Sequence, residues 1–180
     1  MLSDSPPPGN AVPGRLPVGG PLSDEATDWL LGQLPPPPLP QGGYVPAIAH
    51  AGLVVTAGMT PRINGVLHHQ GQVGDDLSIE TAREAAAVAA GNALAAALAA
   101  LGPGHRLDRA LRLTVYVNAA HEFTGHTAVA DGASARLRDL LGDRGVAARA
   151  AVGVTSLPGG ACVEVELMCT YGPAAGPPNP

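Results

Sequence analysis

The chain contains no lysine: all ten of its basic residues are arginine. This excludes both a Schiff-base lysine and a phosphate-loop lysine. Aromatics make up only 3% of the residues, so any core must be built from Ala, Val and Leu. The two cysteines, Cys162 and Cys169, are too few for a disulfide framework and are not spaced as zinc ligands. No apolar run reaches membrane-spanning length without Gly, His or charge. The N-terminus lacks a basic segment followed by an apolar one. A cytoplasmic protein with no membrane contact is expected. Fifteen acidic residues against ten basic ones leave a formal charge of −5. Phosphate binding needs a clustered positive surface, so nucleic acid is not the expected partner.

What the chain does have is hydrophobic content, 46% of 180 residues, enough for a core. Proline and glycine are unevenly placed. Residues 1–22 and 172–180 are rich in both, lack periodicity, and are expected to be disordered tails. Residues 23–43 read as an arm. Ser23 can cap a short helix with Asp24 and Glu25 in its first turn and Trp29, Leu30 and Leu34 as apolar anchors. Pro35–Pro38 then makes a stiff polyproline spacer.

The folded domain is expected over 44–171. Tyr44–His50 and Leu53–Gly58 read as two strands broken at Ala51-Gly52, and Asn64-Gly65 marks a tight turn. Ser78–Leu101 is a long Ala-rich helix, capped by Ser78 and ended by Gly102-Pro103. Leu111–Asn118 alternates as a strand, and Glu122–Leu141 is a second helix. Ala148–Thr155 and Cys162–Tyr171 are two further strands. The order β-β-α-β-α-β-β describes an α+β domain with two helices on one face of a mixed sheet.

The alternation in the last two strands predicts what each face carries. Val163, Val165, Leu167 and Cys169 share one face of the final strand, leaving Glu164, Glu166 and Met168 on the other. In the preceding strand Ala150, Val152 and Val154 form the apolar set, which assigns Arg149, Ala151 and Gly153 to the face of the glutamates. That face mixes charge with Met, Ala and Gly, so a second subunit is expected to cover it.

From Gly43 to Tyr171 the chain resembles the Rid family, also called the YjgF/YER057c/UK114 family. Gly43-Tyr44-Val45-Pro46 is similar to its early Tyr motif, and Thr56-Ala57-Gly58-Met59-Thr60-Pro61 to its Ser-Gly-Gln-x-Pro segment. Leu113–Asn118 resembles the strand entering its second helix, and Ala148-Arg149-Ala150-Ala151-Val152 its Ala-Arg-Ser motif. Leu157-Pro158 followed by Val163-Glu164-Val165-Glu166 resembles its closing signature. The arm and the stretch Asp131-Gly132-Ala133-Ser134 resemble a longer-armed branch. The resemblance implies a chorismate-mutase-like fold. It implies a homotrimer with a barrel-like centre and clefts between subunits, and no metal or cofactor. It also implies hydrolysis of a reactive enamine or imine, such as 2-aminoacrylate, to a carbonyl compound and ammonia.

The resemblance also implies roles at named positions. Arg149 holds the carboxylate of a 2-imino acid through its planar fork. The residue's own chemistry equally allows an ion pair with Glu164 or Glu166. Glu166 guides the attacking water or carries protons, with Glu164 the weaker candidate. Tyr44 covers the substrate from a neighbouring subunit. Gly58 permits close backbone approach. Asn118 is counted with the substrate-binding residues because it lies near the family asparagine position that His121 occupies here. Ala57 and Ala151 stand where relatives often carry Ser and Cys, which implies a less polar, wider cleft. Alternatives are a pathway-specific member acting on one larger imine, a non-catalytic small-molecule-binding trimer, and a ribonuclease. Acidity, absent lysine and few aromatics argue against the last. His68, His69, His126, Cys162 and Ser134 have no partner pattern that would make them ligands or nucleophiles.

Overall fold

The structure, a computed structural model, describes residues 20–174. Of the two expected tails, residues 1–19 and 175–180 lie outside the described residues. The inner ends of both are part of the fold. Leu22 is buried and its N–H donates to Leu107 O at 2.7 Å. The last strand runs on to Pro173, and Ala174 N–H bonds Gly104 O.

Helix α1 (Asp24–Gln33) starts where Ser23 Oγ accepts the Ala26 N–H at 3.2 Å, and it stops at Leu34, ahead of Pro35. Its Ala26 and Leu30 enter the same core as Leu22, with Trp29 packed at the edge. The arm is thus a structural layer of the domain, and the unit does not begin at residue 44. Strands β1 (Ala47–His50) and β2 (Leu53–Thr56) form a hairpin through Ala51-Gly52, both at positive φ. The expected first strand is shortened, because Tyr44 to Pro46 are bent, irregular backbone and β1 begins at Ala47. Asn64-Gly65, at φ 51° and 80°, closes the small hairpin of β3 (Arg62–Ile63) and β4 (Val66–Leu67).

Helix α2 (Ile79–Ala99) is capped by Ser78 and buries an alanine stripe that includes Ala82, Ala86, Ala89, Ala93 and Ala97. Small side chains let α3 (His126–Leu141) approach closely: a Cβ on Gly132 would lie 2.0 Å from the Arg83 carbonyl oxygen of α2. The expected start of α3 at Glu122 is a turn up to Gly125.

Strands β5 (His105–Asn118), β6 (Ala148–Val154) and β7 (Val163–Pro173) complete a five-stranded sheet of order β1-β2-β7-β5-β6. β5 and β6 are parallel and the other neighbours antiparallel. Helices α2 and α3 cover one face, where Leu113, Val115, Val117, Val163, Val165 and Leu167 are fully buried. This is the expected mixed α+β, chorismate-mutase-like architecture with α1 and the β3–β4 hairpin added. Among the described residues no helix is long and apolar enough to cross a membrane.

One face assignment is reversed. Leu113 pairs with Leu167 on one side and with Arg149 on the other. Arg149, Ala151 and Gly153 therefore share the helix-covered face, and Ala148, Ala150, Val152 and Val154 share the open face with the glutamates. Gly153 shows the cause: a Cβ there would lie 2.4 Å from the His126 ring of α3. The helix requires the small residues of β6 beneath it, and the valines turn outward.

Candidate functional site

The open face brings together three strands. Glu164, Glu166 and Met168 of β7 stand beside Tyr116, Thr114 and Arg112 of β5, which stand beside Val152, Ala150 and Ala148 of β6. Val55 pairs with Met168, and Ile48 with Val55. Ile48 is 61% exposed, Val55 43% and Val152 38%, so a broad apolar area surrounds the two carboxylates.

Where β2 ends, the ladder is irregular. Val55 pairs with Met168, yet Met59 pairs with Val165, so four steps on one strand oppose three on the other. This is a β-bulge, and Ala57-Gly58 lie in it. Thr56 Oγ1 takes over part of the ladder by accepting the Leu167 N–H at 3.0 Å. The bulge opens a lane across which the Glu164 side chain lies. A Cβ on Gly58 would sit 1.6 Å from Glu164 Oε1, so the glycine is needed for that carboxylate position.

Tyr44, Gly58 and Glu164 line one cavity of about 440 Å³, together with Gln41, Ala57, Thr60, Arg62, Pro158 and Gly159. Burial pushes the Glu164 carboxyl above the usual carboxylate range, and the neighbouring Glu166 charge adds to the effect. Glu166 is placed differently from the expectation. It does not line the cavity; its Oε2 accepts a 3.0 Å bond from the Tyr116 hydroxyl. That bond, with burial and the two glutamate charges, pushes the Tyr116 phenol up. Glu164, ranked second from the sequence, is the carboxylate of the cleft.

Arg149 is not with them. Its Nη1 donates to Asp131 Oδ1 at 2.8 Å and to Ser134 Oγ at 2.9 Å, both on α3, across the sheet from Glu164. The ion pair that the sequence allowed exists, but with Asp131 rather than either glutamate. Asn118 also lies away from the cavity. It is buried at the end of β5, where Nδ2 donates to Gly71 O and Ala161 O, tying two loops together. Its amide nitrogen is used by the chain itself because three segments converge there, while its Oδ1 is buried without a partner among the described residues.

The remaining candidates have plain settings. Burial pushes the Cys162 thiol up to about 11 and Cys169 to about 12, so both are poor nucleophiles. His121 is exposed beside Glu122, and the His126 ring packs edge-on against Phe123. The sequence reading missed Arg62. It follows the Thr-Pro end of the bulge segment, and the only signal was its place directly after Pro61 in a quoted motif.

The chain matches a family model described as "YjgF/chorismate mutase-like, putative endoribonuclease" over residues 33–170. It is 34% identical over 139 residues to Protein TCP17 of Trypanosoma cruzi, covering 76% of this chain and 86% of that protein. Among solved structures it is similar to Atu1372 of Agrobacterium tumefaciens, a protein of unknown function, at 31% identity. The TM-score there is 0.71, and 82% of this chain and 94% of that one are covered. A Shewanella oneidensis structure described as an endoribonuclease candidate superposes at TM-score 0.73 and 25% identity, over 81% of this chain and 98% of that one. With the family model spanning most of the chain and the same fold in these solved structures, the chain belongs to the YjgF/chorismate-mutase-like, endoribonuclease-like family.

Proposed function

We propose that the chain assembles in the cytoplasm as a homotrimer and hydrolyses a reactive enamine or imine of a small carboxylate-bearing compound, releasing the carbonyl compound and ammonia. The observation that carries this reading is the cavity that joins Tyr44, Gly58 and Glu164, with the Glu164 carboxyl pushed up by burial. A carboxyl whose pKa is raised holds a proton more readily than a free one, and can accept it from water and return it to nitrogen. Water oxygen bonds to the imine carbon, one water proton passes to Glu164, and the C=N π pair becomes the nitrogen lone pair, which takes up that proton. The resulting carbinolamine loses its hydroxyl proton through the same carboxylate. The C–N bond breaks, the C=O bond forms, and nitrogen leaves with the returned proton as ammonia. One water is consumed per C=N bond. Tyr44 supplies a ring and hydroxyl at the cavity wall, and Glu166 acts on Glu164 through its charge.

The open face supports the trimer. Ile48, Val55 and Val152 are large apolar side chains on a sheet face with no layer over it, a pattern suited to association with further copies. The acidic composition and absent lysine weigh against RNA as the substrate.

The test is a coupled assay. A PLP-dependent dehydratase supplies 2-aminoacrylate, an amino-acid oxidase supplies bulkier imino acids, and imine decay is followed with the protein added. Decay that accelerates in proportion to protein, from a species of three chains by sedimentation, is expected. No acceleration with any imino acid, from a confirmed trimer, overturns the hydrolase reading.

A further inference from the structure

On the helix side of the sheet, two arginines line one cavity with no carboxylate between them. We propose that Arg62 and Arg136 form a binding site for a small organic phosphate, its phosphate on the two guanidiniums and its apolar body under the polyproline arm. The site is separate from the cleft of Tyr44 and Glu164, because the two cavities share Arg62 alone. It does not rest on the imine reading. Nor does it need a second subunit. Its walls are the arm, the β3–β4 hairpin, α2 and α3, and these helices cover the side of the sheet opposite the open face.

The pairing of the arginines is the first support. Among those that are not exposed, Arg106 pairs with Asp24, Arg144 with Asp108 and Arg149 with Asp131. Arg62 and Arg136 are not exposed either, yet they pair with no carboxylate among the described residues. Both line a cavity of about 390 Å³. Arg62 Nη1 donates to Gly65 O at 2.9 Å, and its Nε is buried with no partner. Arg136 Nη2 donates to Gln33 O at 3.0 Å. A cation that loses water and gains no counter-charge is costly, and a bound anion offsets that cost. No Asp or Glu lines the cavity, in a chain of net charge −5. Two forks offer more charge and more donors than a single carboxylate uses. A phosphate monoester, with close to two charges and three acceptor oxygens, matches them.

The shape is the second support. Ala87, Val88 and Gly91 of α2 make a low apolar floor. A Cβ on Gly91 would lie 3.8 Å from Arg136 Nε, so that side chain lies along α2 rather than projecting from the protein. The backbone of Arg62 is fixed to the same helix. Asn92 is 4% exposed, and its Nδ2 donates to the carbonyls of Thr60 and Arg62 at 3.1 and 2.9 Å. A second cavity of about 290 Å³ adjoins the first through Pro35, Arg62, Asn64 and Asn92, and Pro35–Leu39 wall it. It too is lined by no Asp or Glu. Rigid proline rings offer flat apolar walls at little entropic cost. A phosphate at the arginines with a flat apolar body against the prolines fits both cavities at once.

The test titrates phenyl phosphate and inorganic phosphate calorimetrically into the full chain at pH 8. Phenyl phosphate is expected to bind once per chain and at least tenfold more tightly than inorganic phosphate. Arg136→Gln and Arg62→Gln should each weaken it by about 30-fold or more, and Arg136→Lys should weaken it less than Arg136→Gln. Arg138→Gln removes an exposed charge from the same helix and should leave binding within twofold. Thermal melting checks that each variant is folded. Arg136 does not line the cleft, so its variant separates the two places. Binding that falls in Arg62→Gln and survives in a folded Arg136→Gln puts the phosphate in the cleft and overturns the site. Absence of binding to the wild type overturns it as well, and so does an equal loss in Arg138→Gln, which would mean diffuse attraction to charge. Equal affinity for the two probes overturns the apolar trough.

Discussion

The two faces of the sheet are made from the same strands and are chemically opposite. The helix-covered face is dry: valines, leucines and the alanine stripe of α2 fill it, and its one guanidinium, Arg149, is satisfied by Asp131 and Ser134. The open face leaves Ile48, Val55 and Val152 exposed around Glu164, Glu166 and Tyr116. One face is filled with buried apolar side chains. The other has a bulge, a cavity and charges that are not all paired. The buried apolar area lies on the first and the proposed chemistry on the second, so a group's neighbours matter more than its presence in a motif.

The largest effect expected from this contrast is on thiol chemistry. With Cys162 at about 11 and Cys169 at about 12, the thiolate fractions at pH 8 are about one in a thousand and one in ten thousand. Modification by a disulfide reagent at pH 8 should be slower than for free cysteine by two orders of magnitude or more, and fast after unfolding in urea. Prompt reaction of the folded protein would show that the interior is not dry.

The next pair adds one methyl group to each face. Gly132→Ala sets a Cβ against backbone, the Arg83 carbonyl, and should cost about 3 kcal/mol in urea denaturation as α2 and α3 separate. Gly58→Ala sets a Cβ against the end of a flexible side chain, Glu164, which can swing away. Its stability cost should stay below about 1 kcal/mol, while imine hydrolysis falls because the carboxylate is displaced. Equal costs for the two variants would remove the distinction between the faces.

The smallest effect is electrostatic. Glu164 holds its proton more tightly in the folded chain than in the unfolded one, because burial and Glu166 disfavour the charge. The folded state therefore binds more protons, and stability falls as pH rises through the carboxyl's ordinary range toward its raised value. Glu164→Gln should raise the melting temperature at pH 7.5 by about 1–2 °C and make little difference at pH 4. A lower melting temperature at pH 7.5 would mean that the charge is stabilised by a partner.

The elements that depend on local chemistry were legible in the sequence. Ser23 and Ser78 cap their helices as read, and the Ala51-Gly52 and Asn64-Gly65 turns make their hairpins. Alternation in β7 placed Glu164 and Glu166 on one face correctly. The same rule failed on β6, where the period was right and the phase inverted. β6 is an edge strand, paired only with β5, and α3 above it needs Gly153 and Ala151 for clearance and Arg149 for Asp131. Apolarity alone does not say which face of an edge strand meets a helix and which meets another chain. Tertiary contacts were beyond local reading too. Leu22, Ala26 and Leu30 close the core from an arm that composition separated from the domain. Arg144 is buried against Asp108 and the Gly20 carbonyl, far apart in sequence. Arg62 lines three cavities whose walls come from distant segments.

The most direct test of the division between the faces is to compare Glu164→Gln with Arg149→Gln in the imine-decay assay, both as folded proteins of wild-type assembly state. Glu164→Gln should lower the rate by about 100-fold or more, and Arg149→Gln should keep it within about threefold, its partners being on α3. A rate that collapses in Arg149→Gln and survives in Glu164→Gln would contradict the account and place the chemistry at the helix-side arginine.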